Sequence, residues 1–429
     1  MPTDWLTGIY LTTDVVRRHP DYVTRLRDEI GLDTVVLSFT GEVPESLRQR
    51  SPYPGSESTD EELASLVLRH FDGRPVDPRE YDRARELCGP GVPAAGDDGE
   101  FRAAVNQLKD AGLQVWTYGG AWTIRRLMFC PSRADVQDWL EAACVYWATE
   151  YDLDGLDITH FRYPMGSFPL GLFGCTCPSC RSAAADLGYD MDAMVNDLKA
   201  AREQLRRLDG VRLGEVVRLG IGFLDVVHAL SMRSGVLDWF RFRCDLIVCN
   251  LARFRAAVRS ASPTTRFGTD TYPASMALAA GHDYLRWDEM ADFASPLVSH
   301  ISAFVCNTFI EWARFLTEEV DGLSEADALS LVYRFTGYDG MGLPKVIADY
   351  RHEEAATLAY RIPTADLVIR DLAKARLLLP AGMPSYPIIH GEGWPRHDID
   401  RIVNQARQLD HNGIVWQGTQ ELMPYDFNG

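Results

Sequence analysis

The stretch DGLDITHFRYPMGSFPLGLFGCTCPSC, residues 154–180, contains two groups of side chains that can do chemistry. Asp157, His160 and Arg162 follow an apolar run, as polar groups do where a buried strand ends at a binding site. Residues 175–180 read C-x-C-x-x-C, which places three thiols close together. The stretch has two interpretations: a single catalytic metal centre, or an acid-bearing strand end beside a separate structural site.

The spacing of Cys175, Cys177 and Cys180 predicts a soft-metal site, most simply zinc, because closely spaced thiolates are typical zinc ligands. A fourth ligand must come from elsewhere in the chain. Cys130, after the third predicted strand, is the preferred candidate, and His160 is the alternative. Four cysteine ligands would leave no open position on the metal, which predicts a structural zinc. Three packed thiols without a metal are the simpler alternative.

The elements that must position these groups alternate along the chain. Predicted strands at 6–13, 33–42, 113–122, 153–161, 265–273, 293–302, 385–394 and 413–422 are separated by segments with helical spacing. This alternation predicts a (β/α)8 TIM barrel in which residues 1–429 form a single elaborated catalytic domain. A bare barrel needs about 250 residues, so residues 43–99 and 165–260 are predicted to be loop insertions. Residues 216–227 could be a strand or a buried helix, and an open doubly wound sheet is the alternative architecture.

The bulk composition restricts the class of partner. The formal net charge of −18 disfavours nucleic acid and anionic membranes, whose phosphates would be repelled. The first residues lack a basic segment followed by an apolar run, and no stretch reaches the ~18–20 apolar residues of a membrane span. Nine cysteines without an export signal predict a reducing compartment, so we expect a cytoplasmic protein. The oligomeric state stays open, a homo-oligomer included.

The predicted strand ends carry a mixture of acids and aromatic rings. Asp157, Asp270 and Glu392, after strands four, five and seven, are the candidate catalytic carboxylates. The candidate substrate-binding residues at the same ends are Tyr118, Trp122, His160, Arg162, Tyr272, His300, His390, Trp394 and Gln417. This mixture suits a carbohydrate, because aromatic faces stack on sugar rings and two carboxylates can divide the work at an acetal. Simpler roles are also open: Asp157 could pair with an arginine, whereas Asp14 and Glu42 are expected to be ordinary loop acids or caps.

On these residues the chain resembles a known group. DLDGLDITHFRYP looks like the strand-four signature of glycosyl-hydrolase-like TIM-barrel proteins, and FCPSRADVQDWL, CTCPSC and RFGTDTYPASMALAAGHDYLRWDEMADFASPLVSH also fit it. The cysteine pattern is similar to the zinc site of the glycoside hydrolase family 42 β-galactosidases. That similarity implies Cys130, Cys175, Cys177 and Cys180 as the zinc ligands. The resemblance covers about residues 113–300 and implies a barrel with a sugar site.

Two departures limit what the resemblance implies about catalysis. The β-galactosidases carry an Asn-Glu acid/base after strand four, where this chain has Asp157 and His160, so that role is not transferred. Glu392 stands in the region of their strand-seven nucleophile, but the surrounding motif differs.

These observations favour a glycoside hydrolase-like enzyme that cleaves a glycosidic bond of a small glycoside or oligosaccharide. Asp157 is expected to be the nucleophile or principal carboxylate, with Glu392 or Asp270 as acid/base. Arg162 and His160 are expected to bind substrate or to tune Asp157. One alternative is a non-hydrolytic sugar lyase, isomerase or epimerase with a histidine base. Another is a catalytically silent carbohydrate-binding barrel. No organic cofactor is expected beside the structural zinc.

Overall fold

The computed structural model describes residues 5–41, 43–52, 58–71, 81–82, 98–119, 123–124, 127–165, 168–350, 361–391 and 393–418, with residues 423 and 425. Its eight main strands are β1 Leu6–Leu11, β2 Thr34–Ser38, β3 Gln114–Tyr118, β4 Gly155–Ile158, β5 Arg266–Thr271, β6 Phe293–Pro296, β7 Ile388–Ile389 and β8 Gly413–Trp416. They form one parallel sheet in the order β6-β5-β4-β3-β2-β1-β8-β7. A parallel bridge between Ala294 and Ser385 joins its two edges, so the strands form a nearly closed barrel. The predicted (β/α)8 fold is confirmed.

Helices alternate with these strands and cover the barrel. The α-helices are Thr13–Arg18, Pro20–Arg25, Glu45–Arg48, Asp60–Leu66, Asp98–Asp110, Ala134–Glu150, Leu170–Phe173, Pro178–Asp186, Met191–Arg207, Gly210–Gly220, Phe223–Ala229, Ser234–Ala261, Trp287–Met290, Asn307–Glu319, Glu325–Thr336, Thr364–Leu378 and Arg396–Gln408. Shorter elements are the π-helices Leu26–Ile30 and Ile301–Cys306, the 3-10 helices Ala277–Ala280, Tyr284–Arg286 and Ile347–Tyr350, and a hairpin of Thr123–Ile124 with Leu127–Met128. Within the described ranges, no helix has the length and apolarity needed to cross a membrane.

The insertion between β4 and β5 consists mainly of helices from Pro178 onward. Residues 216–227, for which strand and helix were both open, lie in helices Gly210–Gly220 and Phe223–Ala229 and the two residues between them. The last helix of this region, Ser234–Ala261, packs along helix Ala134–Glu150. It therefore also serves as the outer barrel helix that returns the chain from β4 to β5.

The lower part of the barrel is filled by large apolar side chains. This interior layer consists of Leu6, Val36, Trp116, Phe293, Leu297, Tyr386, Ile388 and Val415. Trp116 and Phe293 stack with their ring centroids 4.5 Å apart. They fit because β4 and β5 present glycines here: a Cβ on Gly155 would lie 2.9 Å from Trp116, and one on Gly268 would lie 2.3 Å from Phe293. Gly155 of β4 and Gly268 of β5 therefore face the interior of the barrel.

The N-terminal end of the barrel is held by four reciprocal pairs. In each pair, the first residue stands just before β2, β4, β6 or β8, and the second lies near the start of the preceding strand in the chain. The first residue donates its backbone N–H to the carbonyl of the second, and its side-chain oxygen accepts the backbone N–H of the second. The pairs are Asp33 with Thr7 (2.8 Å), Asp154 with Val115 (2.7 Å), Asp292 with Phe267 (2.9 Å) and Asn412 with Ser385 (3.0 Å), the distances being those of the side-chain bonds. These bonds satisfy backbone donors at the strand starts and so stabilise the barrel.

Candidate active site

Asp157 points into the barrel, because it lies two residues after the inward-facing Gly155 of β4. It is 1% exposed, and its Oδ2 accepts a 2.8 Å hydrogen bond from the Tyr10 hydroxyl. Ser295 faces the same carboxyl from β6, but neither its hydroxyl nor Asp157 Oδ1 has a hydrogen-bond partner of normal geometry among the described residues. Burial, helped by the nearby charge of Asp270, raises the pKa of Asp157 to about 7 against the opposing effect of Tyr10. Asp157 can therefore gain or lose a proton near neutral pH.

Asp270 occupies an inward-facing position of the neighbouring strand, two residues after Gly268. It is 5% exposed, and both of its oxygens accept hydrogen bonds from the end of β4. Thr159 Oγ1 donates to Oδ2 at 2.6 Å, and the backbone N–H of His160 donates to Oδ1 at 3.1 Å. Asp157 and Asp270 thus lie on adjacent strands in different environments.

The His160 ring continues the hydrogen-bond network of Asp270. Its Nδ1 lies 2.7 Å from Thr159 Oγ1. Because the hydroxyl proton of Thr159 is directed at the Asp270 carboxylate, Nδ1 of His160 must be the donor in this contact, which leaves Nε2 as an acceptor. Burial, followed by the charge of Arg162, lowers the pKa of His160 to about 4. The ring is therefore neutral at pH 7.

The His160 backbone has an uncommon conformation. Its φ is 67°, in the left-handed region that non-glycine residues seldom adopt. This conformation directs both the ring and the backbone N–H toward the Asp270 network, and strain of this kind tends to persist at functional sites.

Arg162 is buried between two aromatic rings. It is 5% exposed, and its guanidinium carbon lies 4.9 Å from the ring centroid of Tyr272 and 5.0 Å from that of Phe304. Its Nε has no hydrogen-bond partner, and no carboxylate of the described part of the chain forms an ion pair with it. Asp157 is therefore not paired with Arg162, in contrast to the simpler role considered from the sequence.

Four of the predicted substrate-binding residues line one cavity of about 320 Å³. Its lining consists of Ser299, His300, Ile301, Ser302, Ala303, Thr364, His390, Trp394 and Gln417. The rings of His300 and His390 are 5.8 Å apart, and His300 stacks on Phe304 at 5.3 Å. Burial lowers the pKa of His300 to about 4, with a smaller effect of His390, so His300 is neutral at pH 7. Because Phe304 also contacts Arg162, it connects this cavity to the guanidinium.

The remaining predicted residues have different surroundings. Tyr118 packs edge-on against Tyr10, with ring centroids 5.1 Å apart. Tyr272 is almost fully buried and supports the Arg162 guanidinium. The predicted Trp122 and Glu392, together with Glu42, lie outside the described residues.

Sequence reasoning missed several residues that contact the candidate acids or Arg162. Tyr10 could have been found from the period of two in β1, where Leu6, Gly8 and Tyr10 face the same side. Thr159 follows Asp157 by two residues and fits the same rule. Phe304 gave no comparable signal, because it lies in a helix after β6 and reaches Arg162 only through the fold.

The four predicted zinc ligands come together in one buried cluster. The sulfur atoms of Cys130, Cys175, Cys177 and Cys180 all lie within 4.8 Å of one another. Cys130 is 3.2 Å from Cys180 and 3.5 Å from Cys177, which is too long for disulfides. Zinc–sulfur bonds of about 2.3 Å in a tetrahedron place the sulfurs ~3.8 Å apart. The donor set therefore fits a metal ion, with Cys130 as its fourth member, while His160 bonds Thr159 instead.

The cysteine cluster joins three segments of the chain. The backbone N–H of Arg69 donates to Cys175 Sγ at 3.1 Å, and Ser132 Oγ donates to Cys180 Sγ at 3.3 Å. Short antiparallel bridges, Val67 with Phe129 and His70 with Gly174, run beside these contacts. Donors to sulfur are typical of the surroundings of metal-bound thiolates. The cluster thus connects the insertion after β2 with the loops after β3 and β4, apart from the hydrogen-bond networks of the two acids.

Comparison with known proteins identifies no sequence family. No family model matches the chain, and no curated protein matches it. Solved structures with a similar fold include the PgaB (BpsB) glycoside hydrolase domain from Bordetella bronchiseptica, with 9% identity, TM-score 0.47, and coverage of 97% of this chain and 95% of that one. A β-galactosidase from Bacillus circulans sp. alkalophilus has 10% identity and TM-score 0.45, with 96% of this chain and 50% of that one covered.

A third similar structure is a chitinase (RmChi1) from Rhizomucor miehei, with 10% identity, TM-score 0.41, and coverage of 97% of this chain and 95% of that one. The chain spans about half the length of the Bacillus β-galactosidase chain. These three solved structures are a glycoside hydrolase domain, a β-galactosidase and a chitinase.

Proposed function

We propose that the chain is a glycoside hydrolase-like enzyme that cleaves a glycosidic bond of a small glycoside or oligosaccharide. One observation carries this proposal: Asp157 and Asp270 are two buried, inward-facing carboxyl groups on adjacent strands, with different surroundings. Burial raises the pKa of Asp157 to about 7, whereas both oxygens of Asp270 accept hydrogen bonds from the residues that follow β4. A pair of acids whose environments differ in this way is what acid-assisted acetal cleavage requires.

The surroundings of the two acids favour separate roles. Asp157 is suited to donate its proton to the glycosidic oxygen as the bond to the anomeric carbon breaks. Asp270 is suited to stabilise the positive charge that develops at that carbon, either by attacking it or by activating a water molecule. This assignment differs from the roles expected from the sequence, where Asp157 was the nucleophile or principal carboxylate and Glu392 or Asp270 the acid/base. Glu392 remains a further candidate for the second carboxylate.

The cavity lined by His300, Trp394 and Gln417 supports a carbohydrate as substrate. The neutral His300 offers a hydrogen-bonding nitrogen, Gln417 offers both a donor and an acceptor, and Trp394 supplies an aromatic ring. The alternative of a lyase, isomerase or epimerase with a histidine base has weaker support. Burial lowers the pKa of both His160 and His300 to about 4, which makes them poor bases at neutral pH.

The proposal is tested with a panel of 4-nitrophenyl α- and β-glycosides and the Asp157→Asn variant. We expect wild-type protein to release nitrophenol and to incorporate solvent ¹⁸O into the sugar. Asp157→Asn should lose at least 100-fold in kcat/KM on the corresponding disaccharide, whose alcohol leaving group needs the proton that Asp157 donates. Asp14→Asn is the matched control, because Asp14 is exposed and forms an ion pair with the exposed Arg18. Saturable sugar binding without any product would instead support a silent binding barrel.

We also propose that the four-cysteine cluster holds one structural zinc and that residues 1–429 form a single catalytic domain. The buried four-thiolate set leaves no open position for substrate, so the metal would hold the loops together without taking part in the reaction. Loss of the zinc is expected to lower the stability of the protein before it affects the reaction.

A further inference from the structure

We propose that Arg162 binds an anionic group of the substrate, a carboxylate or a sulfate carried by the sugar, so that the preferred substrate is an acidic glycoside. The inference rests on the proposed function for the identity of the site as a sugar site. It adds the chemical class of the sugar, which neither the sequence motifs nor the candidate acids specify.

The first argument is the burial of a charge without a counter-charge. The Arg162 side chain is 5% exposed, yet it forms no ion pair or hydrogen bond with any residue in the described ranges, and its Nε is fully buried. Removing most of a guanidinium from water without a counter-charge or a protein hydrogen-bond acceptor is unfavourable. Native proteins rarely keep such a group unless something compensates for it, and a bound anion would do so.

The second argument is that the described carboxylates of the barrel mouth are engaged elsewhere. Asp157 accepts from Tyr10, and Asp270 accepts from Thr159 and from the backbone of His160. The carboxylate of Glu311, whose charge raises the pKa of Tyr272 where that of Arg162 lowers it, accepts from the backbone N–H of Phe168 at 3.3 Å. None of these acids forms an ion pair with the guanidinium.

The third argument is that the guanidinium is held in place while its donors stay unused. Tyr272 and Phe304 contact it at 4.9 and 5.0 Å, which fixes its position by cation–π attraction. A guanidinium carries five N–H donors in a planar arrangement that matches the two oxygens of a carboxylate or sulfate. Because Phe304 also stacks on His300, an anion at Arg162 would lie next to the cavity proposed to hold the sugar.

The test uses the full-length Asp157→Asn protein, in which turnover is blocked under the proposed function. Binding of glucuronate, galacturonate and glucose 6-sulfate is compared with binding of glucose and galactose by calorimetry. We expect at least one acidic sugar to bind about 10- to 100-fold more tightly than its neutral counterpart, as a charge-assisted contact implies. A preference for the uronates identifies the anion as a carboxylate, and a preference for the 6-sulfate identifies it as a sulfate ester.

A second substitution assigns that preference to Arg162. Adding Arg162→Met, which keeps much of the side-chain volume, should abolish the preference, and Arg162→Lys should retain part of it. Arg241→Met is the matched control for net charge, because the Arg241 side chain is 71% exposed on an outer helix. The Tm of Arg162→Met should equal or exceed that of the parent, because a buried unpaired charge is removed.

The outcomes separate the inference from the proposed function. Equal binding of acidic and neutral sugars, no binding of any acidic sugar, or a preference that survives Arg162→Met would overturn the anionic subsite. A lowered Tm with unchanged preference would mark Arg162 as a structural residue. If acidic sugars bind through Arg162 but the wild-type protein cleaves no glycoside, the inference stands and the hydrolase proposal fails. If Arg162→Met in the wild-type background cleaves neutral glycosides as efficiently as the wild-type protein and no acidic sugar is preferred, the hydrolase proposal stands and the anionic subsite fails.

Discussion

The hydroxyl of Tyr10 donates a 2.8 Å hydrogen bond to Oδ2 of Asp157 across the interior of the barrel. The two residues belong to β1 and β4, which are not neighbours in the sheet, so the bond crosses the lumen. Burial raises the pKa of Tyr10 well above its usual value, so its hydroxyl keeps the proton that it donates. Tyr10 therefore stabilises the ionised form of Asp157, although burial has the larger effect on that pKa.

Replacing Tyr10 by phenylalanine should shift the pH dependence of catalysis. Loss of the donated bond removes an interaction that lowers the pKa of Asp157, so that pKa should rise above about 7 by roughly one unit. If protonated Asp157 is the general acid, the alkaline limb of the kcat/KM profile should move to higher pH. Tyr146→Phe, on the outer helix Ala134–Glu150, is the control. An unmoved alkaline limb would show that Asp157 does not control it.

The Asp157→Asn variant should gain stability relative to wild type as the pH rises. The pKa of Asp157 is raised from 3.8 to about 7 by folding, so its contribution to stability is fully present below about pH 4 and is lost as the pH rises through 7. The free energy of unfolding of the two proteins should therefore converge near pH 4 and differ by a few kcal/mol at pH 8, at about 1.4 kcal/mol per pKa unit. Urea denaturation across this range measures the difference, with Asp14→Asn as the control. A constant difference would contradict the raised pKa.

Metal analysis should find about one zinc per chain, and Cys177→Ser should remove it. Since the four sulfurs connect three loop segments, loss of the metal should lower the Tm by several degrees, and a chelator should act in the same way on wild-type protein. Cys249→Ser is the matched control, because Cys249 is exposed and lies outside the cluster. A metal-free wild-type protein with the same Tm as Cys177→Ser would rule out the zinc site.

Substitutions of His160 should distinguish the effect of its backbone conformation on stability from the effect of its ring on activity. Glycine and asparagine tolerate a φ of 67°, so His160→Gly and His160→Asn should fold with nearly unchanged Tm, whereas His160→Val should cost about 1–3 kcal/mol of stability. All three should reduce kcat/KM, because each loses the ring that bonds Thr159. Full activity in a stable His160→Asn protein would show that the ring has no part in the reaction.

Local sequence pattern was sufficient for the barrel and for the cysteine site. Apolar runs with β-branched residues predicted every main strand, and the cysteine spacing with one upstream thiol predicted the cluster of Cys130, Cys175, Cys177 and Cys180. Both predictions depend on residues that are close together in the sequence, so they need little knowledge of the tertiary structure.

Long-range partners explain what could not be predicted. The bond between Tyr10 and Asp157 joins positions 147 residues apart, and the isolation of Arg162 is a property of its surroundings that no local motif encodes. Residues 216–227 could not be assigned because buried strands and buried helix segments have similar apolar content.

The reciprocal pairs at the N-terminal end of the barrel have a consequence for how the molecule is divided. Each pair joins two successive strands, β1 with β2, β3 with β4, β5 with β6, and β7 with β8, so that end is assembled from four two-strand modules. Separately expressed halves cut within residues 210–233 would each keep two complete pairs, whereas a cut between β3 and β4 would put Val115 and Asp154 on different pieces. Asp157 belongs to the second module and Asp270 to the third. The proposed pair of catalytic carboxylates therefore forms only where these two modules pack together.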